Sequence, residues 1–170
     1  LEIMGIKYTG SGPLACSLTM NKLFTKRLLL QNGFKTPDFK LVTHINQFEE
    51  VAELLKTPFV LKPCSQGSSI GVSIIENKND FEKNFQALEK FNDWIIAESY
   101  LLYSEYTAGF LNEKILPLIK IDASHEHFYN YEAKYFSDET KYICPSGLDP
   151  QVEERIQKRC FDACKLFAIR

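Results

Sequence analysis

The stretch Pro58-Phe59-Val60-Leu61-Lys62-Pro63-Cys64-Ser65-Gln66-Gly67-Ser68-Ser69-Ile70-Gly71-Val72-Ser73-Ile74-Ile75 holds the residue types best suited to chemistry. A short apolar run ends in a lysine, a loop of glycines and serines follows, and a second apolar run closes it. Glycine lets backbone N–H groups approach a ligand and point the same way. Serine hydroxyls and a nearby ammonium complete a surrounding suited to phosphate oxygens. The P-loop order, in which Lys-Ser/Thr follows the last glycine and opens a helix, is absent. The pattern is strand, loop, strand, with the lysine at the loop entrance, and such a loop could fold over a triphosphate as a flap. An ordinary hairpin with a solvated lysine accounts for this window equally well, because Gly-Ser loops are common turn material.

Other residues could contribute. Lys22 falls in the first turn of a helical pattern, where its charge opposes the helix dipole. A nearby anion explains its placement better than helix stability does, although spacing alone favours a solvated lysine. Glu98 ends an apolar run and Glu105 lies seven residues on. From Phe128 to Leu148 the pattern is irregular, yet the segment holds Tyr129, Tyr131, Glu132, Lys134, Tyr135 and Tyr142. A polar, aromatic loop of that length is functional or disordered, and its aromatic content speaks against disorder. His125-Glu126-His127 alternates as metal ligands can, but without a third ligand a solvated loop is the better account.

The elements that must position these groups follow from apolar spacing. A turn-rich break at Tyr8–Pro13 precedes a short helix over 14–20. Asn21-Lys22 opens a helix to Gly33 with Leu23, Phe24, Leu28 and Leu30 as its apolar side. Phe39–Val42 reads as a strand. Asn46 and Glu49 have the spacing of a capping box, and Phe48, Val51, Ala52 and Leu55 make an amphipathic helix. Asn79 and Glu82 repeat the box ahead of Phe81, Phe85 and Leu88. Residues 37–92 therefore predict an antiparallel sheet with helices on one face. Trp94–Glu98 is a further strand. Residues 106–111 and 115–121 form a hairpin turning at Asn112-Glu113-Lys114. Asp149-Pro150 caps a last helix, with Val152, Ile156, Cys160, Ala163 and Phe167 on its buried side.

Composition narrows the class. The chain has 170 residues, 45% of them apolar and 13% aromatic, enough for a packed core. A net charge of −2 carries no nucleic-acid signature. No apolar run reaches membrane-spanning length. Cys16, Cys64, Cys144, Cys160 and Cys164 lack CxxC spacing and are odd in number, which favours free thiols in a reducing compartment. The chain opens at Leu1 without an initiator methionine or a signal-peptide pattern and stops at Arg170 directly after a helical pattern, which reads as a fragment.

Longer motifs carry a resemblance. Tyr8-Thr9-Gly10, Asn21-Lys22-x-x-Thr25-Lys26, and Lys62-Pro63-x-x-x-Gly67-Ser68-Ser69-Ile70-Gly71-Val72 resemble the D-alanine–D-alanine ligases. So do Phe128-Tyr129-x-Tyr131-Glu132-Ala133-Lys134-Tyr135, Ser137-Asp138-Glu139-Thr140 and Cys144-Pro145-Ser146-Gly147-Leu148. The resemblance covers nearly all of the chain, and the Tyr-Glu-Ala-Lys-Tyr loop is its most specific part. It implies an α+β chain of the ATP-grasp fold, two α+β subdomains gripping ATP, with N- and C-terminal parts missing. The implied division is 1–20 as the tail of an N-terminal substrate domain, 21–97 as the central subdomain with the glycine flap, and 98–170 as an incomplete C-terminal subdomain with the long loop.

The resemblance also implies a reaction: ATP phosphorylates one D-alanine carboxylate and a second D-alanine attacks the acyl phosphate. Lys22 and Lys62 would bind nucleotide phosphates, with Ser68 and Ser69 closing over the terminal one. Glu98, Ser99 and Leu101 would form the adenine hinge, Phe128 would line the adenine pocket, and Glu105 would take the ribose hydroxyls. Lys134 would reach the transferring phosphate, while Tyr135 would hydrogen-bond toward Ser68 and place the second substrate. Magnesium, with manganese as an alternative, would accompany ATP, its ligands lying outside this chain. A cytoplasmic homodimer serving peptidoglycan synthesis is implied, without membrane or nucleic-acid partners.

The chain departs from the family at Asn21, Cys64, Ser65, Gln66, Ser99 and Tyr103-Ser104. Ser99 weakens the adenine contact, and Ser65 and Gln66 could change how the flap closes. The family's first-substrate glutamate, C-terminal arginine and metal-binding acids are not found. Alternatives are another ATP-grasp ligase, including a D-alanine–D-lactate ligase, or a nucleotide-binding module without catalysis.

Overall fold

A computed structural model describes residues 1–122 and 140–170. These residues divide into two compact units, Met20–Leu102 and Leu1–Thr19 with Tyr103–Arg170.

The first unit is built on a four-stranded antiparallel sheet. Its strands are β1 (Phe39–Val42), β2 (Phe59–Pro63), β3 (Ser73–Ile75) and β4 (Ile95–Ser99), ordered β1-β4-β2-β3. Side chains alternate across the sheet, so one face of β2 and β4 carries Phe59, Leu61, Ile95 and Ala97. Helices α3 (Phe48–Leu55) and α4 (Lys78–Glu89) cover that face with Val51, Leu55, Phe81, Phe85 and Leu88. Phe59, Leu61, Ile75 and Phe81 are fully enclosed there. Phe59, Phe81 and Phe48 meet at tilted or edge-on angles, the arrangement aromatic quadrupoles favour. The predicted layering of α3 and α4 on one face holds.

The other sheet face is covered by α2 (Lys22–Gln31), which packs Leu23 against Ile96 and Cys64, with Phe39 and Leu41 beside them. Asn21 caps α2 by accepting a hydrogen bond from the Phe24 amide at 3.2 Å. The apolar side expected for this helix is only partly the buried one. Phe24 and Leu30 are exposed, and the residues turned inward are Leu23 and Lys26. Phe24 packs instead near Trp94, its ring centroid 5.7 Å away.

Two caps differ from the predicted ones. Ahead of α3, a single 3-10 turn (Ile45–Gln47) takes the entry position. The Gln47 side chain accepts from the Thr43 and His44 amides at 2.7 and 2.9 Å. Asn77, not Asn79, caps α4 by accepting from the Asp80 amide at 3.0 Å. In both places the backbone turns earlier than the first apolar residue of the stripe indicates.

In the second unit β5 (Glu105–Thr107), β8 (Ile119–Asp122) and β9 (Lys141–Ile143) form a three-stranded antiparallel sheet. The predicted hairpin is interrupted. Its tip is a separate pair, β6 (Phe110–Leu111) and β7 (Lys114–Ile115), turning through Asn112 and Glu113 at positive φ. β9 falls where the sequence shows no regular pattern. Helices α1 (Pro13–Met20) and α5 (Pro150–Leu166) complete the unit. Asp149 accepts from the Gln151 and Val152 amides at 2.9 and 3.3 Å, as expected of that cap. Glu153, in the first turn of α5, accepts from the Leu118 amide at 3.1 Å and from buried Ser146 Oγ at 2.7 Å. The stripe predicted on α5 is sheltered but not enclosed: Val152, Ile156, Cys160 and Ala163 are half-buried, and only Phe167, just past the helix, is buried.

Candidate functional site

Alternation decides where Lys62 and Glu98 point. Lys62 is paired with Ile96, and Glu98 with Val60, so both side chains lie on the sheet face covered by α2, one diagonal step apart. On α2, Lys22 and Lys26 are one helical turn apart and share the side that buries Leu23. Helix and sheet thus bring four charged side chains together. Glu98 lies at the centre: one carboxylate oxygen is 3.1 Å from Lys62 Nζ and the other 3.0 Å from Lys26 Nζ.

Lys22 works at the root of the glycine loop. Its amide donates to the Cys64 carbonyl at 3.0 Å. Its Nζ donates to the same carbonyl at 3.3 Å and to that of Gln66. Burial first, and the neighbouring Lys62 charge second, hold the Lys22 ammonium below the ordinary lysine range. Lys26 is also shifted down, chiefly by burial, with Glu98 opposing the shift. Lys22, Lys26 and Lys62 face one shared glutamate, with Asp93 also acting on Lys22 and Asp38 on Lys26, so positive charge is concentrated on this face. Cations packed so closely and partly desolvated favour an anion.

Asp93 fixes the entry of the loop. Its carboxylate accepts from the Ser65 amide at 2.6 Å, from Ser65 Oγ at 3.3 Å and from the Trp94 amide at 2.7 Å. Beyond Gln66 the backbone turns twice, with Ile70 N–H to the Gly67 carbonyl at 3.0 Å and Val72 N–H to the Ser69 carbonyl at 3.2 Å. Ser68 and Ser69 both have positive φ, 51° and 61°, which is costly away from glycine. Gly71, at φ 71°, closes the loop where an added methyl would lie 2.9 Å from Leu88, 3.0 Å from Phe91 and 3.1 Å from Pro63. The loop is therefore pinned at both ends, and its tip carries the two serines. The Cys64 thiol beneath it is buried, and burial raises its pKa, so it is a packing group rather than a nucleophile.

The remaining predicted residues are placed as follows. Ser99 ends β4 and its amide donates to the Asp38 carbonyl at 2.9 Å, so that N–H is occupied. Leu101, just past the strand, is half-exposed. Glu105 opens β5 in the second unit, opposite Ile121, with its side chain exposed. Phe128, Lys134 and Tyr135, together with the His125-Glu126-His127 run, lie outside the described residues. The sequence reading gives no role to Lys26, quoted there only within a motif, or to Asp93. Lys26 had one available signal, its position a turn after Lys22 on the side of Leu23. Asp93 had none, since a lone aspartate after Asn92 looks like turn material. Among the described residues no three His, Cys, Asp or Glu side chains gather as metal ligands. The described cysteines are all free thiols.

Solved structures give the class first. The D-alanine–D-alanine ligase of Bacillus anthracis matches with a TM-score of 0.83 at 30% identity, over 99% of this chain and 55% of its own. The same protein complexed with ATP matches with a TM-score of 0.80 at 27% identity, over 99% and 53%. The fold is the α+β ATP-grasp fold, as the motifs implied.

The family described as D-ala D-ala ligase C-terminus matches residues 28–170, and the chain belongs to it. A D-alanine–D-alanine ligase of Nitrosomonas europaea is 39% identical over 166 residues, 98% of this chain and 54% of the relative. A D-alanine–D-alanine ligase B of Chromobacterium violaceum is 37% identical over 170 residues, 100% of this chain and 56% of the relative. The chain spans about half the length of the curated relatives it matches.

Proposed function

We propose that the protein carrying this chain joins two D-alanines using ATP, with a D-alanyl phosphate as intermediate. The observation that carries the reading is the partly buried lysine cluster beside a glycine-serine flap, in a chain of this family. A carboxylate oxygen of the first D-alanine attacks the terminal phosphorus, and the bond to the bridging oxygen breaks to release ADP. The amine of the second D-alanine then attacks the acyl carbon, phosphate departs with its bonding pair, and the nitrogen loses a proton. Many negative charges meet in the first step, so catalysis rests on positioning and on cations rather than on covalent chemistry by the protein.

In this reading Lys22 and Lys62 hold the nucleotide phosphates, and Ser68 and Ser69 close over the terminal one. The residue types suit a polyphosphate: the ammonium groups of Lys22 and Lys62 with the hydroxyls of Ser68 and Ser69. Glu98, Ser99 and Leu101 are the hinge beside the base. Because the Ser99 amide is already bonded, a main-chain N–H contact to the base falls to Leu101. Glu105 takes the ribose hydroxyls, a task for a carboxylate acceptor. Phe128 lines the base pocket, Lys134 and Tyr135 act from the long loop, and together with the flap they keep water from the acyl phosphate.

Magnesium or manganese neutralises polyphosphate charge in such chemistry. No cluster of three metal-ligating side chains gathers among the described residues, so no step is assigned to it. No helix among the described residues is long and apolar enough to cross a membrane. A cytoplasmic homodimer supplying peptidoglycan synthesis completes the reading.

The test is phosphate release by the complete protein with ATP and magnesium, with and without D-alanine, while the product is followed. D-alanine-dependent release with D-alanyl-D-alanine formed is the expected outcome. Release indifferent to D-alanine, a depsipeptide product with D-lactate, or nucleotide binding without turnover would each overturn it.

A further inference from the structure

Lys26 is a buried charge that the proposed reaction does not use. It is 6% exposed, and its ammonium has three N–H donors. One faces Glu98 at 3.0 Å, one is bonded to Thr36 Oγ1, and the Phe39 ring centroid lies 5.0 Å from the nitrogen. Its surroundings are therefore protein groups, and it is not arranged to take a ligand. Lys62 differs: among the described residues its ion-pair partner is the other oxygen of the same Glu98. A carboxylate shared between two ammonium groups holds each less tightly than it would hold one alone. If Glu98 had only Lys62, that pair would close on itself in a partly buried site and compete with any arriving anion.

We propose that Lys26 is a positioning residue, which neutralises and aims Glu98 so that Lys62 stays available to a phosphate. The proposal rests on the nucleotide reading of this cluster. Lys26 acts through Glu98 and does not touch the nucleotide. Removing its charge therefore weakens nucleotide binding only while Glu98 is charged.

The experiment uses the complete protein with four variants: Lys26→Met, Lys26→Gln, Glu98→Gln and the double variant Lys26→Met/Glu98→Gln. Nucleotide dissociation constants and the KM-against-kcat split are measured, together with thermal unfolding. Lys26→Met is expected to raise the dissociation constant and KM for ATP about tenfold, a typical size for coupled neighbours, with kcat at saturating ATP changed much less. In the Glu98→Gln background the same substitution is expected to change the ATP dissociation constant by less than about threefold, since an uncharged amide at that position cannot capture Lys62. An equal loss in both backgrounds would mean that Lys26 meets the nucleotide directly, and unchanged affinity in folded Lys26→Met would mean that it has no such role. Either overturns the proposal. If the neutral variants do not fold, Thr36→Val, which removes only the hydroxyl partner of Lys26, is expected to raise the same constant to a smaller degree. An unchanged constant there overturns the proposal too. Should the parent protein fail to bind ATP, the nucleotide reading falls by itself. The Lys26–Glu98 link is then judged by whether the two substitutions are non-additive in melting temperature, and additivity would reject it.

Discussion

At the scale of single residues, the site is a problem of like charges held close. Lys22 is partly buried and lies near Lys62, and both effects, burial first, lower its proton affinity in the folded chain. Two pH dependences of opposite sign follow. The unfolded chain holds the Lys22 proton more firmly than the folded chain does. Folding stability therefore rises with pH in the window between the lowered folded pKa and the ordinary lysine value above it. Binding of a phosphate runs the other way, because a neutral Lys22 attracts no anion. ATP affinity is expected to fall on the alkaline side, beginning below the range of an ordinary lysine. In Lys22→Arg, whose guanidinium keeps its charge, that limb is expected to move to higher pH. Dissociation constants measured across the alkaline range check this, and superimposable limbs for parent and variant would contradict it. These charges were partly legible in the sequence. Lys62 announces itself by ending an apolar run before glycines. Lys26 and Asp93 do not, because a buried charge and a solvated one are the same letter until a partner is brought near by the fold.

At the scale of elements, legibility followed the strength of the apolar pattern. β2 and β4 carry alternating or continuous apolar residues, and α4 a clear stripe, so their type and extent could be read. The caps could not, because Asn77-x-x-Asp80 and Asn79-x-x-Glu82 offer the same chemistry two residues apart and only packing chooses. β9 is three exposed residues with no side to bury, and nothing in its pattern marks it. The glycine loop sits between these cases: its chemistry is readable, but its anchoring is not. Gly71 needs positive φ and a methyl added there would lie within 3.1 Å of three side chains, whereas Gly67 has open space around its missing Cβ. Gly71→Ala is expected to lower unfolding free energy by roughly 2–4 kcal/mol, combining backbone strain with overpacking. Gly67→Ala is expected to fall within about 0.5 kcal/mol of the parent. Denaturant unfolding of both variants decides it, and equal effects would show that the loop is not rooted at its Gly71 end.

At the scale of the whole molecule, the charged cluster and the larger core belong to one unit. Lys22, Lys26, Lys62, Glu98 and Asp93 all fall between Met20 and Leu102. So do the enclosed residues Phe59, Leu61, Ile75 and Phe81, and the helices on both faces of the sheet. The residues of both described buried clusters flanking this sheet come from within the unit. A polypeptide of residues 20–102 is therefore expected to fold alone, with a single sigmoidal unfolding transition and a stability of about 3–5 kcal/mol, modest for its size. The lysine cluster is retained in that piece, so a polyphosphate that binds only the folded form raises its melting temperature by mass action. Tripolyphosphate is the simplest probe, because it lacks the base and sugar. A cooperative transition shifted upward by tripolyphosphate would locate anion recognition in the sheet and α2. A broad transition without cooperativity would mean that this core needs the rest of the chain. A cooperative transition indifferent to tripolyphosphate would mean that the lysines are balanced internally, and the phosphate roles of Lys22 and Lys62 would then have to be abandoned.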